Sequence, residues 1–145
     1  MFEPHGDTRF SIEGQMLLVE LWGPWNAELV DVYTRLAAPL MAGLAAAGPW
    51  GVIAITRVST MFTDDGADRL RALLRQPSPT LNRAATAFVI APEVEGYRLC
   101  DPLLHEIYDP IAAFAIFESL LPAKTWVDAQ IARVAAAGSR ERTAS

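Results

Sequence analysis

The chain has 145 residues and a formal net charge of −5, with 52% hydrophobic and 20% charged residues. These values predict one folded domain with a substantial core and exclude an intrinsically disordered chain. The acidic balance argues against nucleic-acid binding and against attraction to anionic lipid headgroups, because both require clustered positive charge.

The first predicted elements are a β-hairpin and a helix. "TRFSIEGQMLLVELWG" (8–23) predicts two short strands joined around Gly14-Gln15, the second with an apolar face. Asn26 is suited to cap the helix that follows, because its side chain can accept a backbone N–H. The helix carries an apolar stripe at three- and four-residue intervals: Leu29, Tyr33, Leu36, Leu40 and Leu44.

The rest of the chain alternates strands with helices. Apolar runs predict the third, fourth and fifth strands: "WGVIAIT" (50–56), "ATAFVIA" (85–91) and "IAAFAIF" (111–117). Helices are predicted from about Asp65 to Gln76, from Glu95 to Tyr108 with a break at Asp101-Pro102, and from Ser119 onward.

This order predicts a single α/β domain, a β-hairpin followed by alternating helix and strand, with a mostly parallel five-stranded sheet. The expected boundaries are an N-terminal extension at 1–7, the domain at 8–137 and a frayed tail at 138–145.

One uncharged stretch, 36–56, approaches the length of a membrane span. Gly48-Pro49 divides it, so we interpret it as the end of a buried helix followed by a buried strand. Cys100 is the only cysteine, which excludes an internal disulfide and a thiolate metal cluster. The first ten residues lack the basic start and apolar core of a signal peptide, and we expect a cytoplasmic protein.

Two stretches carry a resemblance to a known family. "VIAITRVSTMFTDDGADRLRALL" (52–74), with the order of elements, resembles the STAS fold of anti-sigma-factor antagonists. "AIFESLLPAKTWVDAQI" (115–131) is similar to the ending of the divergent SpoIIAA-like branch. The resemblance covers roughly residues 8 to 131 and implies a β-α superhelix with most helices on one face of the sheet.

The chain departs from the family at the switch residues. Where the antagonists place the phospho-accepting serine, this chain has Asp65, while Asp64 replaces the preceding serine and Thr63 the aspartate. The resemblance therefore implies a small non-enzymatic domain without the serine phospho-switch. For the SpoIIAA-like branch it also implies ligand binding or membrane association.

The acidic pair Asp64 and Asp65 has two interpretations. With Thr63 it suits a helix start, where side-chain oxygens accept orphan N–H groups and negative charge meets the positive end of the helix dipole. A catalytic or metal-binding pair would need further ligands at recognisable spacing, and the sequence offers none.

Other candidate chemistries are weaker. Asp101, His105 and Asp109 lie four residues apart and could form a metal-binding stripe only on a continuous helix, which the prolines at 102 and 110 interrupt. Cys100 and His105 fall on different helix faces, which argues against a nucleophile pair. We predict no cofactor and no metal.

The carboxyl ends of the strands form the candidate site, because ligands of open α/β sheets bind there. Three loops should share this rim: 23–26, 57–65 and 92–97. The candidate ligand- or partner-binding residues on them are Trp25, Arg57, Met61, Phe62, Asp64, Asp65 and Tyr97. The alternative is that Trp25 and Phe62 simply pack against helix ends.

These observations predict a non-enzymatic, STAS-like binding or regulatory domain that engages a partner protein or a small apolar, lipid-like ligand. The alternative is a small enzyme that uses Asp64 or Asp65 as general acid or base.

The strands also predict a covering for the second face of the sheet. The third to fifth strands are apolar on both faces, so each face must be removed from water. The last helix, a second subunit, or a bound lipid or membrane could do this. We expect a homodimer first and a lipid-like ligand second, with peripheral membrane association as a further option and no nucleic-acid partner.

Overall fold

The strands follow one another across the sheet in the same order as along the chain. The computed structural model describes residues 8–144, so the predicted extension at 1–7 and residue 145 lie outside it. The sheet order is β1-β2-β3-β4-β5. The strands are β1 (Thr8–Glu13), β2 (Met16–Trp22), β3 (Trp50–Arg57), β4 (Arg83–Ile90) and β5 (Ala113–Phe117).

The sheet is mixed rather than mostly parallel. β1 and β2 form an antiparallel pair, and the other three neighbouring pairs are parallel. The hairpin turns at Gly14, whose φ of +58° lies in the region that glycine reaches without steric cost. The prediction of a single α/β domain with five strands is confirmed.

Four α-helices lie within residues 8–144: α1 (Ala27–Ala47), α2 (Asp64–Leu74), α3 (Asp101–Tyr108) and α4 (Leu120–Ala144). The predicted cap of α1 is confirmed, because Asn26 Oδ1 accepts the Leu29 N–H at 2.8 Å. α4 continues through 138–144, most of the segment predicted as a tail.

Part of the third predicted helix is wrong. Helix is absent from 95–100, a described segment in which turns follow the bridge residue Glu95, and α3 begins at Asp101. Gly96 and Arg98 have φ of +87° and +67°, which a right-handed helix cannot contain. The helix therefore starts at the predicted break.

The three crossover helices cover one face of the sheet. Their buried side chains, including Leu29, Leu70 and Leu104, pack with Trp50 and Phe88 in one apolar cluster. The predicted stripe of α1 needs one correction. Leu36 is exposed, because the 3.6-residue period carries it off the buried face, which Ala37 and Met41 occupy instead.

The last helix covers the opposite face. Ala123 and Val127 of α4 are fully buried there, against apolar residues of β2, β3 and β4. Gly51 makes close packing possible, since a Cβ at this position would lie 2.5 Å from Val127 Cγ1. Lys124 Nζ adds an ion pair with Glu13 at 2.9 Å.

The sequence left three possible coverings for this face: the last helix, a second subunit, or a lipid or membrane. In the structure the last helix, α4, covers it. A homodimer stays a prediction, but it no longer has an uncovered sheet face as its basis.

α1 is long and apolar enough to cross a membrane by length and composition alone. Core helices pass the same test, and the apolar stripe of α1 packs on the sheet. The interpretation of 36–56 as buried helix followed by buried strand agrees with this packing.

We predict that Gly51→Ala lowers the free energy of unfolding by about 1–3 kcal/mol, because the added methyl group overpacks the interface with Val127. Gly43→Ala is the matched control. It lies in α1 with open space around it, so the same change should raise stability by about 0.5–1 kcal/mol. Urea unfolding of both variants measures the difference.

A Val127→Ala substitution completes this test. It should cost less in the Gly51→Ala background than in the wild type, since it removes the methyl group that clashes. Equal costs in both backgrounds would contradict the proposed contact.

Candidate functional site

The loops at the carboxyl ends of the strands extend the sheet beyond its regular hydrogen bonding. Isolated bridges join Trp25 to Phe62 and Ser59 to Glu95. The Trp25 N–H donates to the Met61 carbonyl at 2.8 Å, and the Thr60 N–H donates to the Glu95 carbonyl at 2.8 Å. The three predicted rim loops therefore form one hydrogen-bonded unit.

Close approach of these loops depends on glycine. A Cβ at Gly66 would lie 2.3 Å from the Trp25 carbonyl oxygen, and one at Gly96 would lie 2.8 Å from Thr60 Oγ1. The thiol of Cys100 adds a buried contact to the same Thr60 oxygen at 3.3 Å. Burial raises the pKa of this thiol, so Cys100 stays protonated and acts as a core residue.

Trp25 lies beneath the rim, and Phe62, which packs on it, is half-buried. Trp25 is only 1% exposed and stacks on Phe62 with ring centroids 5.0 Å apart. Trp25 also contacts Tyr33 and Phe88 of the core. The side chain of Trp25 is therefore packed in the core in this structure.

Arg57, Met61 and Tyr97 have different surroundings. Arg57 pairs with Glu20 at 3.4 Å, at the end of β3. Met61 is exposed on the rim beside Gly96. Tyr97 lies farther along, where its hydroxyl donates to the carboxylate of Glu118.

Asp64 and Asp65 occupy the first turn of α2, and Thr63 is its cap. Thr63 Oγ1 accepts the Gly66 N–H at 3.1 Å and donates to the Asp65 carboxylate. The hydrogen bond from Thr63 is the main reason that the pKa of Asp65 is lowered. Both carboxylates are exposed, and a lowered pKa keeps Asp65 ionised at neutral pH, unlike a general acid.

A cleft that the sequence analysis did not predict lies beside the carboxyl end of β5. We call it the β5 cleft. It has a volume of about 320 Å³. Its main side chains are Tyr97, Arg98, Asp101, His105, Phe114 and Glu118.

The charged groups of the β5 cleft are only partly paired. Arg98 lies 3.7 Å from Asp101 Oδ2, while Asp101 Oδ1 is buried with no hydrogen-bond partner in the described structure. His105 Nδ1 lies 3.1 Å from Asp109, and the imidazole meets the ring of Phe114 edge-on at 5.0 Å. An apolar floor with a few convergent polar groups is typical of a binding site.

Three of these residues were candidates for other reasons: Tyr97 as a predicted rim residue, and Asp101 and His105 as part of a possible metal-binding stripe. Asp101 and His105 share a face through their four-residue spacing, which suggested a weak metal stripe. Arg98, Phe114 and Glu118 come from other segments, and no local signal brings them together. Among the described residues, no group of three or more metal-ligating side chains is placed to hold an ion.

Val58, in the 57–65 loop, and Arg98, directly after the 92–97 loop, have an unfavourable backbone. An exposed apolar side chain lies at or next to each of them. Val58 has a φ of +66° and is 67% exposed, and Arg98 has a φ of +67° and precedes Leu99, which is 75% exposed. A β-branched residue in the left-handed region is a genuine outlier. Such conformations cluster at binding sites, where the surroundings hold them in place.

Comparison with protein-family models and with curated proteins finds no match for this chain.

We predict that Thr63→Ala lowers the free energy of unfolding by about 1 kcal/mol, because it removes the cap of α2. Thr63→Ser should restore most of the loss, since serine caps equally well. Asp64→Ala, one residue away, should change stability by less than about 0.5 kcal/mol. Thermal unfolding measures the stability of each variant. If Asp64→Ala lowered the stability more than Thr63→Ala, Thr63 would not be the cap of α2.

We also predict that Val58→Asn raises the free energy of unfolding by about 0.5–1 kcal/mol, because asparagine tolerates the left-handed conformation better than valine. Leu81→Asn is the control, since Leu81 is also exposed but has an extended backbone. Chemical unfolding curves of the two variants give the comparison, and equal effects would show that Val58 is not strained.

Proposed function

We propose that this protein is a non-enzymatic, STAS-like domain of the SpoIIAA-like branch that binds a partner protein through its rim. The family proposal rests on the sequence resemblance of 52–74 and 115–131. The three crossover helices on one face of the sheet agree with what that resemblance implies.

The observation that carries the binding proposal is the exposure of Val58 and Leu99 on neighbouring loops. Glu95 N–H donates to the Val58 carbonyl at 2.9 Å, and Leu99 lies four residues beyond Glu95. Exposed Met61 contacts the same segment at Gly96. These apolar side chains are exposed on loops that hydrogen bonds fix in an unfavourable backbone conformation. Their exposure does not stabilise the fold, which favours a role in binding a partner.

The β5 cleft supplies the polar part of the proposed surface. Asp101 Oδ1 has no hydrogen-bond partner among the described residues, and Glu118 contributes a second carboxylate. A basic or amide side chain of the partner would complete these oxygens. Charge-assisted hydrogen bonds of this kind are among the stronger polar contacts.

The proposed function has no serine phospho-switch. Asp65 stands at the serine position, and Thr63 is engaged as a helix cap through Gly66 and Asp65. The alternative of an enzyme using Asp64 or Asp65 has less support, because both carboxylates are exposed and the pKa of Asp65 is lowered. A cytoplasmic location and a homodimer remain proposals from the sequence.

A site-specific photo-crosslinking residue tests the rim proposal in the cells from which the protein derives. We expect Leu99 or Met61, replaced in turn by the crosslinker, to give a discrete adduct with another protein. Leu81 is the matched control, because it is 59% exposed but lies at the amino end of β4, away from the rim. Adducts from all three positions, or from none, would contradict the proposal.

The identified partner then allows a quantitative test. Leu99→Ser should weaken binding by about tenfold or more, as expected for a central apolar contact, and Leu81→Ser should leave the affinity unchanged. Asp101→Asn should weaken binding if a basic side chain enters the β5 cleft. Isothermal titration with purified proteins measures all three affinities.

A further inference from the structure

β5 is an edge strand of the sheet, and its outer side has no strand beside it. It comes last in the sheet order, and its only strand partner within residues 8–144 is β4. Among the same residues, no further backbone hydrogen bond is made by 113–117. An edge strand leaves a row of N–H and C=O groups unpaired, so the outer side of β5 is a template for another strand.

The two edges of the sheet differ in how they are protected from pairing. β1, the other edge, carries the charged residues Arg9 and Glu13. β5 has the sequence AFAIF, with no charge and no proline, two features that usually prevent pairing at an edge. All of its residues are exposed or partly exposed, whereas every residue of β4 is buried. β5 is therefore an apolar edge that another chain can reach.

The β5 cleft lies along the carboxyl end of this edge. Its wall includes the consecutive residues 114–118, although successive side chains of a strand point to opposite faces of the sheet. The cleft therefore borders the backbone of β5 and not one side-chain face alone. Phe114 and Ile116 pack on the side of the crossover helices. The same alternation places Glu118 on that side, where Tyr97 donates to its carboxylate.

The charges of the β5 cleft select the kind of side chain that can complete it. Its wall contains the carboxylates of Asp101 and Glu118 but only one guanidinium, that of Arg98. Arg98 lies 3.7 Å from Asp101 Oδ2, and Asp101 Oδ1 is buried without a hydrogen-bond partner among the described residues. His105 lies beside a carboxylate of its own, Asp109. The unpaired oxygen favours a donor, and the excess of carboxylates favours a cationic one.

We propose that the partner contributes an extended segment that adds to β5 as a further strand and places an arginine or lysine in the β5 cleft. The inference rests on the proposed partner binding and names the element that makes the contact. Backbone hydrogen bonds along 113–117 supply affinity, and the side chains beside them supply specificity. In antiparallel orientation, a basic residue opposite Glu118 brings the partner's next residues on that side opposite Ile116 and Phe114.

The test uses the pentapeptide acetyl-Arg-Thr-Val-Thr-Val-amide, which has this pattern in antiparallel order. In amide NMR of the isotope-labelled protein with millimolar peptide, we expect chemical-shift changes confined to 97–105 and 113–118. Two further peptides carry N-methyl groups at both threonines or at both valines. Alternate amides of a strand point to opposite sides, so one of these peptides should lose binding and the other should keep it. Unchanged binding of both would show that the backbone of the peptide is not paired with β5.

A charge exchange tests the basic end of the segment. The peptide with glutamate in place of arginine should bind about tenfold more weakly or worse, because like charges then meet in the cleft. Glu118→Arg should reverse this preference. Asp128→Arg is the matched control, since it makes the same change of charge at an exposed position of α4 and should leave the preference as it was. Equal binding of the two peptides to the wild type, or no shifts at 113–118, would overturn the proposal.

Three outcomes separate strand addition from the rim proposal and from self-association. A crosslinked partner at Leu99 or Met61 together with no peptide binding at β5 would refute strand addition and leave the rim proposal in place. Peptide binding at β5 with no crosslinked partner would support strand addition and contradict the rim proposal. Shifts of 113–117 that depend on protein concentration without peptide would identify a second copy of the chain as the occupant, which would contradict the proposal.

Discussion

The structure depends on burying both faces of β3 and β4 at once. Nearly every side chain of these two strands is buried, whichever face it points to. Each fully buried aliphatic or aromatic side chain contributes roughly 1.5–3 kcal/mol, so neither face can be left in water. Three helices meet this need on one side and α4 on the other, and the rigid sheet between them fixes where the rim loops emerge.

Much of this architecture could be predicted from the sequence, because it depends on local patterns. Alternation and apolar runs located the five strands, and Asn26 marked the start of α1. The covering of the second face could not be settled in this way. The close contact between Gly51 and Val127 joins residues far apart in the chain, and the two residue types alone do not predict that contact.

The site was harder to predict than the fold for a related reason. The left-handed φ of Arg98 lies in a run of turns, closed by local hydrogen bonds such as Leu99 N–H to the Gly96 carbonyl. The composition of 95–100 does not distinguish these turns from helix. The β5 cleft likewise forms where a turn, a helix and a strand end meet. Trp25 shows the same limit, since a tryptophan in a loop left both a surface contact and packing against helix ends open, and its side chain lies in the core.

The order of the strands has a consequence for how the molecule assembles. Each strand from β2 to β5 pairs with the strand that precedes it along the chain, so the sheet can grow at its edge as the chain is synthesised. α4 follows all of them along the chain. Until it docks, Ile53, Ile55 and Val89 stay in water on a surface open to other nascent chains. Exposed apolar surface of this kind favours intermolecular association, so docking of α4 is the step that protects the folding chain from it.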